Sequence, residues 1–154
     1  VYKPHGSLDW YLRQGKPVQF SIELDDAPRL VITPGNNKFR NGYESPFDLH
    51  LGRANAAIDR ATRFLILGYG FNDDHLETHL SPAIRAGKPT LLMTRTLTEN
   101  ARKLALGCGN VIALTSSTSG GVLGTEVFFN KSVHFFENLT IWDVDSFVSE
   151  VLVP

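Results

Sequence analysis

At 154 residues, with 42% hydrophobic, 20% charged and 10% aromatic residues, the chain has the composition of one folded globular domain, which excludes a disordered tail, a collagen-like repeat and a coiled coil. Fifteen Lys and Arg against sixteen Asp and Glu leave a formal charge of −1, so no global basic field recruits nucleic acid or an anionic membrane surface. A single cysteine, Cys108, excludes an internal disulfide and a cysteine-based zinc site, and no apolar run approaches the roughly 20 residues of a membrane span, so a cytoplasmic location is expected.

In chain order, the first informative segment is Lys3-Pro-His-Gly-Ser-Leu-Asp-Trp10, where a histidine precedes a glycine at an expected strand-to-turn exit. Val18-Gln-Phe-Ser-Ile-Glu-Leu24 alternates apolar and polar residues and predicts a strand with one solvated face. Leu30-Val-Ile32 predicts a buried strand leaving through Thr33-Pro34-Gly35, and a helix is expected over 46–61, with Leu49, Ala56, Ala57 and Ile58 on its apolar side. Phe64-Leu-Ile-Leu67 predicts a strand buried on both faces, followed by Gly68-Tyr69-Gly70 and a helix over 73–86, with Asn72 as N-cap and Asp73 and Asp74 in its first turn. Thr90-Leu-Leu-Met93, leaving into Thr94-Arg95, is the next strand, and a helix over 98–106 is expected to stop with Gly107 at C′. Val111-Ile-Ala-Leu114 is a further strand, the Ser/Thr/Gly-rich stretch 116–124 predicts a mobile loop, and 143–152 predicts a short helix on an acidic cap. The alternation of strands and helices defines an α/β chain with right-handed crossovers, with neither an internal repeat nor a linker that would split it. The chain opens with Val1 and its one methionine, Met93, is internal, so it is expected to be a segment of a longer protein.

Three constellations could carry chemistry. The Gly68-Tyr69-Gly70 turn between a buried strand and a helix lets backbone approach a ligand, and helix N-terminal N–H groups suit ribose or phosphate oxygens. Asp73 replaces the third glycine of the G-x-G-x-x-G dinucleotide fingerprint, so two carboxylates face any pyrophosphate there; the alternative is a plain tight turn with a well-capped helix. His5 before Gly6 supplies a group able to exchange protons near neutral pH beside a residue that would let a sugar come close, against the reading of an ordinary surface histidine. His75 and His79, four residues apart, share a helix face at metal-ligand spacing, but the acid of the H-E-x-x-H pattern stands one position late; solvated helix surface is the better reading, and a histidine-ligated metal hydrolase the remote one. Cys108, between Gly107 and Gly109, has no histidine near it in sequence and reads as structural.

Taken together and in this order, His5-Gly6-Ser7 and Gly68-Tyr69-Gly70 resemble the SIR2-like family, in its bacterial branch rather than among the protein-deacylating sirtuins. The spacing of the two motifs, the intervening Leu30-Val-Ile-Thr-Pro-Gly segment and the closing Trp142-Asp-Val-Asp-Ser-Phe-Val148 are also similar, so the resemblance spans nearly the whole of 1–154 through short motifs. It implies an α/β fold with a Rossmann-like, mostly parallel sheet and flanking helices: the C-terminal part of a SIR2-like NAD-binding domain, sirtuin-like but without the N-terminal phosphate-loop half and the zinc ribbon. The activity implied is hydrolysis of NAD+ to ADP-ribose and nicotinamide in antiphage defence, with NAD as substrate and no metal. His5 would be the base, Gly6 and Ser7 would lie beside the ligand, and Gly68, Tyr69, Gly70 and Phe71 would contact its ribose and phosphate.

Departures from the family pattern discriminate among the branches. The stretch after His5 holds no cysteine, which disfavours an NAD-dependent protein deacylase with its four-cysteine ribbon. The Gly-rich phosphate loop and the Thr-Asn-Tyr-Asp-like segment are absent and are expected upstream, so the segment alone is expected to be inactive. Thr94 or Arg95 stands where sirtuins place an asparagine near the adenosine ribose. The partners implied are NAD, other domains of a parent chain and further copies in a homo-oligomer, with no membrane and no nucleic acid. A non-catalytic Rossmann-like nucleotide-binding or assembly module is the competing reading.

Overall fold

The chain enters its first strand through Gly6, a position only glycine can hold. Its φ of +80° lies in the left-handed region, and a Cβ there would stand 2.1 Å from the carbonyl oxygen of Leu30. The computed structural model describes residues 1–32 and 45–153. The chain divides into two units, Val1–Ile58 and Asp59–Pro154.

In the first unit, β1 (Gly6–Arg13) is the centre of a three-stranded antiparallel sheet between β2 (Lys16–Gln19) and β3 (Arg29–Val31). Arg13 and Lys16 are cross-strand partners, so Gln14 and Gly15 form a two-residue turn, both with positive φ. Tyr11 is the buried centre of this sheet, and Arg29 stacks its guanidinium 5.9 Å from the ring centroid. Helix α1 (Phe47–Arg60) follows, with Phe47 buried at its start. Two expectations are corrected here. Of the Leu30-Val-Ile32 run, Leu30 and Val31 lie in a strand, β3, but it pairs antiparallel with β1 and has no place in the parallel sheet. The alternating Val18–Leu24 segment stays extended only to Gln19, after which the chain bends away. The turn expected at Thr33-Pro34-Gly35 lies outside the described residues.

The second unit is a mixed α/β layer. Strands β4 (Phe64–Leu67), β5 (Thr90–Thr94) and β6 (Val111–Ser119) run parallel, joined through α2 (Asp74–Arg85) and α3 (Glu99–Gly107). From β6 the sheet continues antiparallel into β7 (Val122–Phe129) and β8 (Ser132–Glu137), giving the order β4-β5-β6-β7-β8. Residues 116–124, expected as a mobile loop, form the β6–β7 hairpin around Gly120 and Gly121, both at positive φ. The strand β8 has no counterpart in the sequence reading; it follows a second two-residue turn, Asn130-Lys131, again with two positive φ values. Short helix α4 (Val144–Phe147) starts on Asp143, which accepts from the N–H groups of Asp145 and Ser146, and runs on as a π-helical turn, Val148–Leu152.

One row of cross-strand partners defines the core. Ile66, Leu92, Ala113 and Phe128 lie side by side across β4 to β7 and are 8%, 0%, 0% and 0% exposed. Their face is the one that right-handed crossovers cover with α2 and α3, and Ile84, Ala101, Leu104 and Ala105 from those helices are buried. Arg102 of α3 lays its guanidinium 5.0 Å from the Phe128 ring centroid and pairs with Glu126 at 3.5 Å. The next row behaves differently: Leu65 is 63% and Ile112 39% exposed. The expectation of strands buried on both faces is therefore corrected for β4, which is covered on one face only. Among the described residues no helix is long and apolar enough to cross a membrane.

Candidate functional site

In parallel α/β sheets ligands bind beyond the carboxyl ends of the strands, where helix N-termini and turn backbone converge. In the second unit that edge is built from the residues after β4, β5 and β6. Gly68, at φ +63°, ends β4 and donates its N–H to the carbonyl of Met93, the residue before the last of β5. A Cβ on Gly68 would meet nothing within 4 Å, so the turn presents bare backbone to open space. Gly70 is enclosed, since a Cβ there would lie 2.9 Å from Cγ2 of Thr98. Phe71 takes a φ of +55° and is buried, with its ring centroid 5.0 Å from that of Tyr69.

Two side chains at the start of α3 hold this turn. Thr98 donates its hydroxyl to the carbonyl of Gly70 at 2.5 Å while accepting from the N–H of Ala101 as N-cap of the helix. Asn100 donates its amide nitrogen to the carbonyl of Phe71 and to Oδ1 of Asn72, each at 2.9 Å. Neither contact is visible as a motif. Thr98 is legible as a helix cap, whereas Asn100 reaches a partner 28 residues away and carries no sequence signal.

The helix after the turn is capped by Asp73, not by Asn72. Asp73 accepts from the N–H of His75 at 3.1 Å and is 6% exposed, which moves the expected helix start by one residue and frees the Asn72 side chain for Asn100. With Asp74 and Glu77 in the first turn, the N-terminus of α2 is acidic, and its backbone donors are partly spent on Asp73. Tyr69 turns its hydroxyl to Glu77, donating to Oε1 at 3.0 Å, and Ser81 donates to the other carboxylate oxygen. Burial first, and then the negative charge of Glu77, push the Tyr69 phenol well above its usual range, so it stays a donor. On β5, Thr94 donates its hydroxyl to the carbonyl of Thr96 at 3.2 Å, and buried Thr115 of β6 donates to the carbonyl of Arg95 at 3.1 Å, so the threonines at this edge shape the backbone after β5. The arrangement is a hydrogen-bonded rim with exposed backbone at Gly68 and carboxylates behind it, suited to hydroxyl-bearing ligands more than to bare phosphate.

His5, Gly6 and Ser7 belong to the first unit, and the Gly68 turn to the second. His5 sits in the turn that enters β1, correcting the expected strand exit, and its backbone carbonyl accepts from the N–H of Ile32 at 2.9 Å. The room at Gly6 expected for a sugar is taken by Leu30 and by the ring of Phe47, 2.8 Å from where a Cβ would stand. Ser7 accepts from the Lys3 ammonium at 2.7 Å, and Lys3 also pairs with Asp9 at 3.3 Å. The hydrogen bond from Ser7, then those from the Gln19 amide and Lys3, outweigh desolvation and lower the Asp9 carboxyl to about 2.

His79 is paired through Nδ1 with Asp59 at 2.9 Å on an exposed face. No group of three or more His, Cys, Asp or Glu among the described residues could hold a metal ion. Cys108 is buried at the end of α3, where its N–H donates to the carbonyl of Leu104 at 3.0 Å; Gly107, expected at C′, is the last residue of that helix.

The second unit thus defines an α/β class with a mixed five-stranded sheet flanked by helices. Neither a comparison with models of protein families nor one with curated proteins finds a match to this chain.

Proposed function

We propose that the chain is the C-terminal part of a SIR2-like, Rossmann-like domain that hydrolyses NAD+ to ADP-ribose and nicotinamide, serving bacterial antiphage defence in the cytoplasm as part of a longer, homo-oligomeric protein. The observation that carries the reading is the Gly68-Tyr69-Gly70 turn, with open backbone at Gly68 on the carboxyl edge of β4, in a chain where a His5-Gly6-Ser7 motif precedes it. In the reaction the bond between the nicotinamide nitrogen and the ribose carbon breaks, nicotinamide leaves with the electron pair, and water adds to the oxocarbenium-like carbon while losing a proton. His5 is assigned as the base that takes that proton. The Gly68 to Phe71 backbone is assigned to the ribose and phosphate side, with Thr94 beside it.

The test is His5→Ala in the parent protein, with nicotinamide release as the readout. The expected result is loss of turnover with the fold retained by circular dichroism; unchanged turnover overturns the assignment. The acidic start of α2, with Asp73, Asp74 and Glu77, favours a second reading, a non-catalytic nucleotide-binding module. Calorimetric titration of the parent with NAD and ADP-ribose separates the two, since tight binding without turnover selects the module.

A further inference from the structure

The five-stranded sheet ends on β8, which pairs on one side with β7 and, among the described residues, with no strand on the other. Which of its backbone groups face outward follows from the turn before it. A two-residue hairpin makes its flanking residues, Phe129 and Ser132, a hydrogen-bonded pair, and such pairs alternate along an antiparallel ladder, so Ser132, His134 and Phe136 direct their N–H and C=O groups to β7. Asn138 continues this set, since its N–H donates to the carbonyl of Leu123 at 3.0 Å. The N–H and C=O groups of Val133, Phe135 and Glu137 therefore point away from the sheet and have no backbone partner among the described residues.

The side chains along this edge suit a second strand. Val133 and Phe136 are exposed, no proline interrupts β8, and its charges stand at the two ends, Lys131 in the preceding turn and Glu137 as the last residue. A two-fold pair of edge strands is antiparallel, and outward groups meet only where odd-numbered residues stand opposite odd-numbered ones. With the axis at His134, Val133 lies opposite Phe135 of a second copy and Lys131 opposite its Glu137, so apolar meets apolar and both ends pair opposite charges. With the axis at Phe135, Val133 would meet Glu137 and Lys131 would meet Leu139; with the axis at Val133, Lys131 would meet Phe135.

We infer that two copies of this chain join β8 to β8 about a two-fold axis at His134, continuing the sheet from one copy into the other. The inference rests on the homo-oligomeric part of the reading above, to which it gives an interface, and its test needs no NAD turnover.

Sedimentation equilibrium of the protein at about 50 μM should show a dimer. Val133→Pro removes an outward N–H that β7 does not use, so circular dichroism should show the fold retained while dimerisation weakens about a hundredfold. Phe135 is left in place because its ring packs over Gly124, 2.8 Å from where a Cβ would stand. Glu137→Lys sets like charges opposite and should weaken the dimer about tenfold, and adding Lys131→Glu should restore it. His134→Cys brings two thiols to a non-hydrogen-bonded pair with Cα atoms about 4.5 Å apart, so mild oxidation should link the copies. Ser132→Cys, opposite Phe136, and the unsubstituted protein, whose one cysteine is buried Cys108, should stay unlinked. A dimer whose affinity neither Val133→Pro nor Glu137→Lys changes, or a His134→Cys protein that forms no link, overturns the β8 interface alone. A protein still monomeric at about 100 μM overturns both the interface and the homo-oligomer.

Discussion

The hydroxyl of Thr98 donates to the carbonyl of Gly70 at 2.5 Å, and this bond, with those of Asn100, joins the start of α3 to the turn that ends β4. The same oxygen caps the helix, so one side chain serves a local and a distant partner. Thr98→Val should remove both bonds at similar volume and cost about 1–2 kcal/mol in urea unfolding of the chain, whereas Thr98→Ser should stay within about 0.5 kcal/mol of the parent. Equal stability of the two variants would show that the hydroxyl contributes nothing.

Two glycines with left-handed backbone should respond unequally to alanine. At Gly68 a methyl group meets open space and only the φ of +63° is unfavourable, costing about 1–2 kcal/mol. At Gly6 the same backbone cost is joined by collision with Leu30 and Phe47, adding about 1–3 kcal/mol. Gly6→Ala should therefore be the more damaging, with loss of the β1–β3 pairing as the readout in amide hydrogen exchange. A Gly6→Ala protein with native protection of Ile32 would contradict the close approach.

Lys131 is a long side chain held at a φ of +63° in the β7–β8 turn. Lys131→Gly relieves that conformation, and thermal unfolding should show a gain of about 0.5–1 kcal/mol. No gain, or a loss, would mean that the unfolded-state entropy of glycine outweighs the relief.

Asp9 links the first unit to pH. Its carboxyl lies at about 2 in the folded protein against an ordinary value of 3.8, so the stabilisation it provides is complete above pH 4 and is lost as pH falls toward 2. Ser7→Ala removes the largest cause, so the Asp9 carboxyl should titrate closer to 3.8 in an NMR pH series. A titration midpoint unchanged by that substitution would assign the lowering to Gln19 and Lys3 instead.

The parallel half of the second unit is legible in the sequence because burial writes itself as runs: Phe64-Leu-Ile-Leu67, Thr90-Leu-Leu-Met93 and Val111-Ile-Ala-Leu114 are all strands. The antiparallel half is not. Thr115 to Ser119 are polar because β6 beyond Leu114 is held by its ladder to β7, not by a second apolar face, and polarity alone reads as a loop. Turn chemistry held the missing signal, since Gln14-Gly15, Gly120-Gly121 and Asn130-Lys131 all bridge strands by two residues at positive φ. Leu30 to Ile32 mislead for a related reason: a short apolar run fits an antiparallel strand as well as a parallel one. At the candidate site the glycines of the turn are legible, but Asn72 and Asp73 are equivalent as caps until Asn100 claims the first.

Among the described residues, the outer edge of β4 pairs with no strand. Phe64, Leu65, Ile66 and Leu67 carry neither the lysine nor the proline with which exposed edges are usually blunted, and Leu65 and Leu67 remain 63% and 49% exposed. The strand is short, and four residues direct only about half of their N–H and C=O groups outward, which leaves few rungs on which another strand could pair. Lengthening β4, rather than discharging the surface, is the change that would convert it into a seed for fibrils.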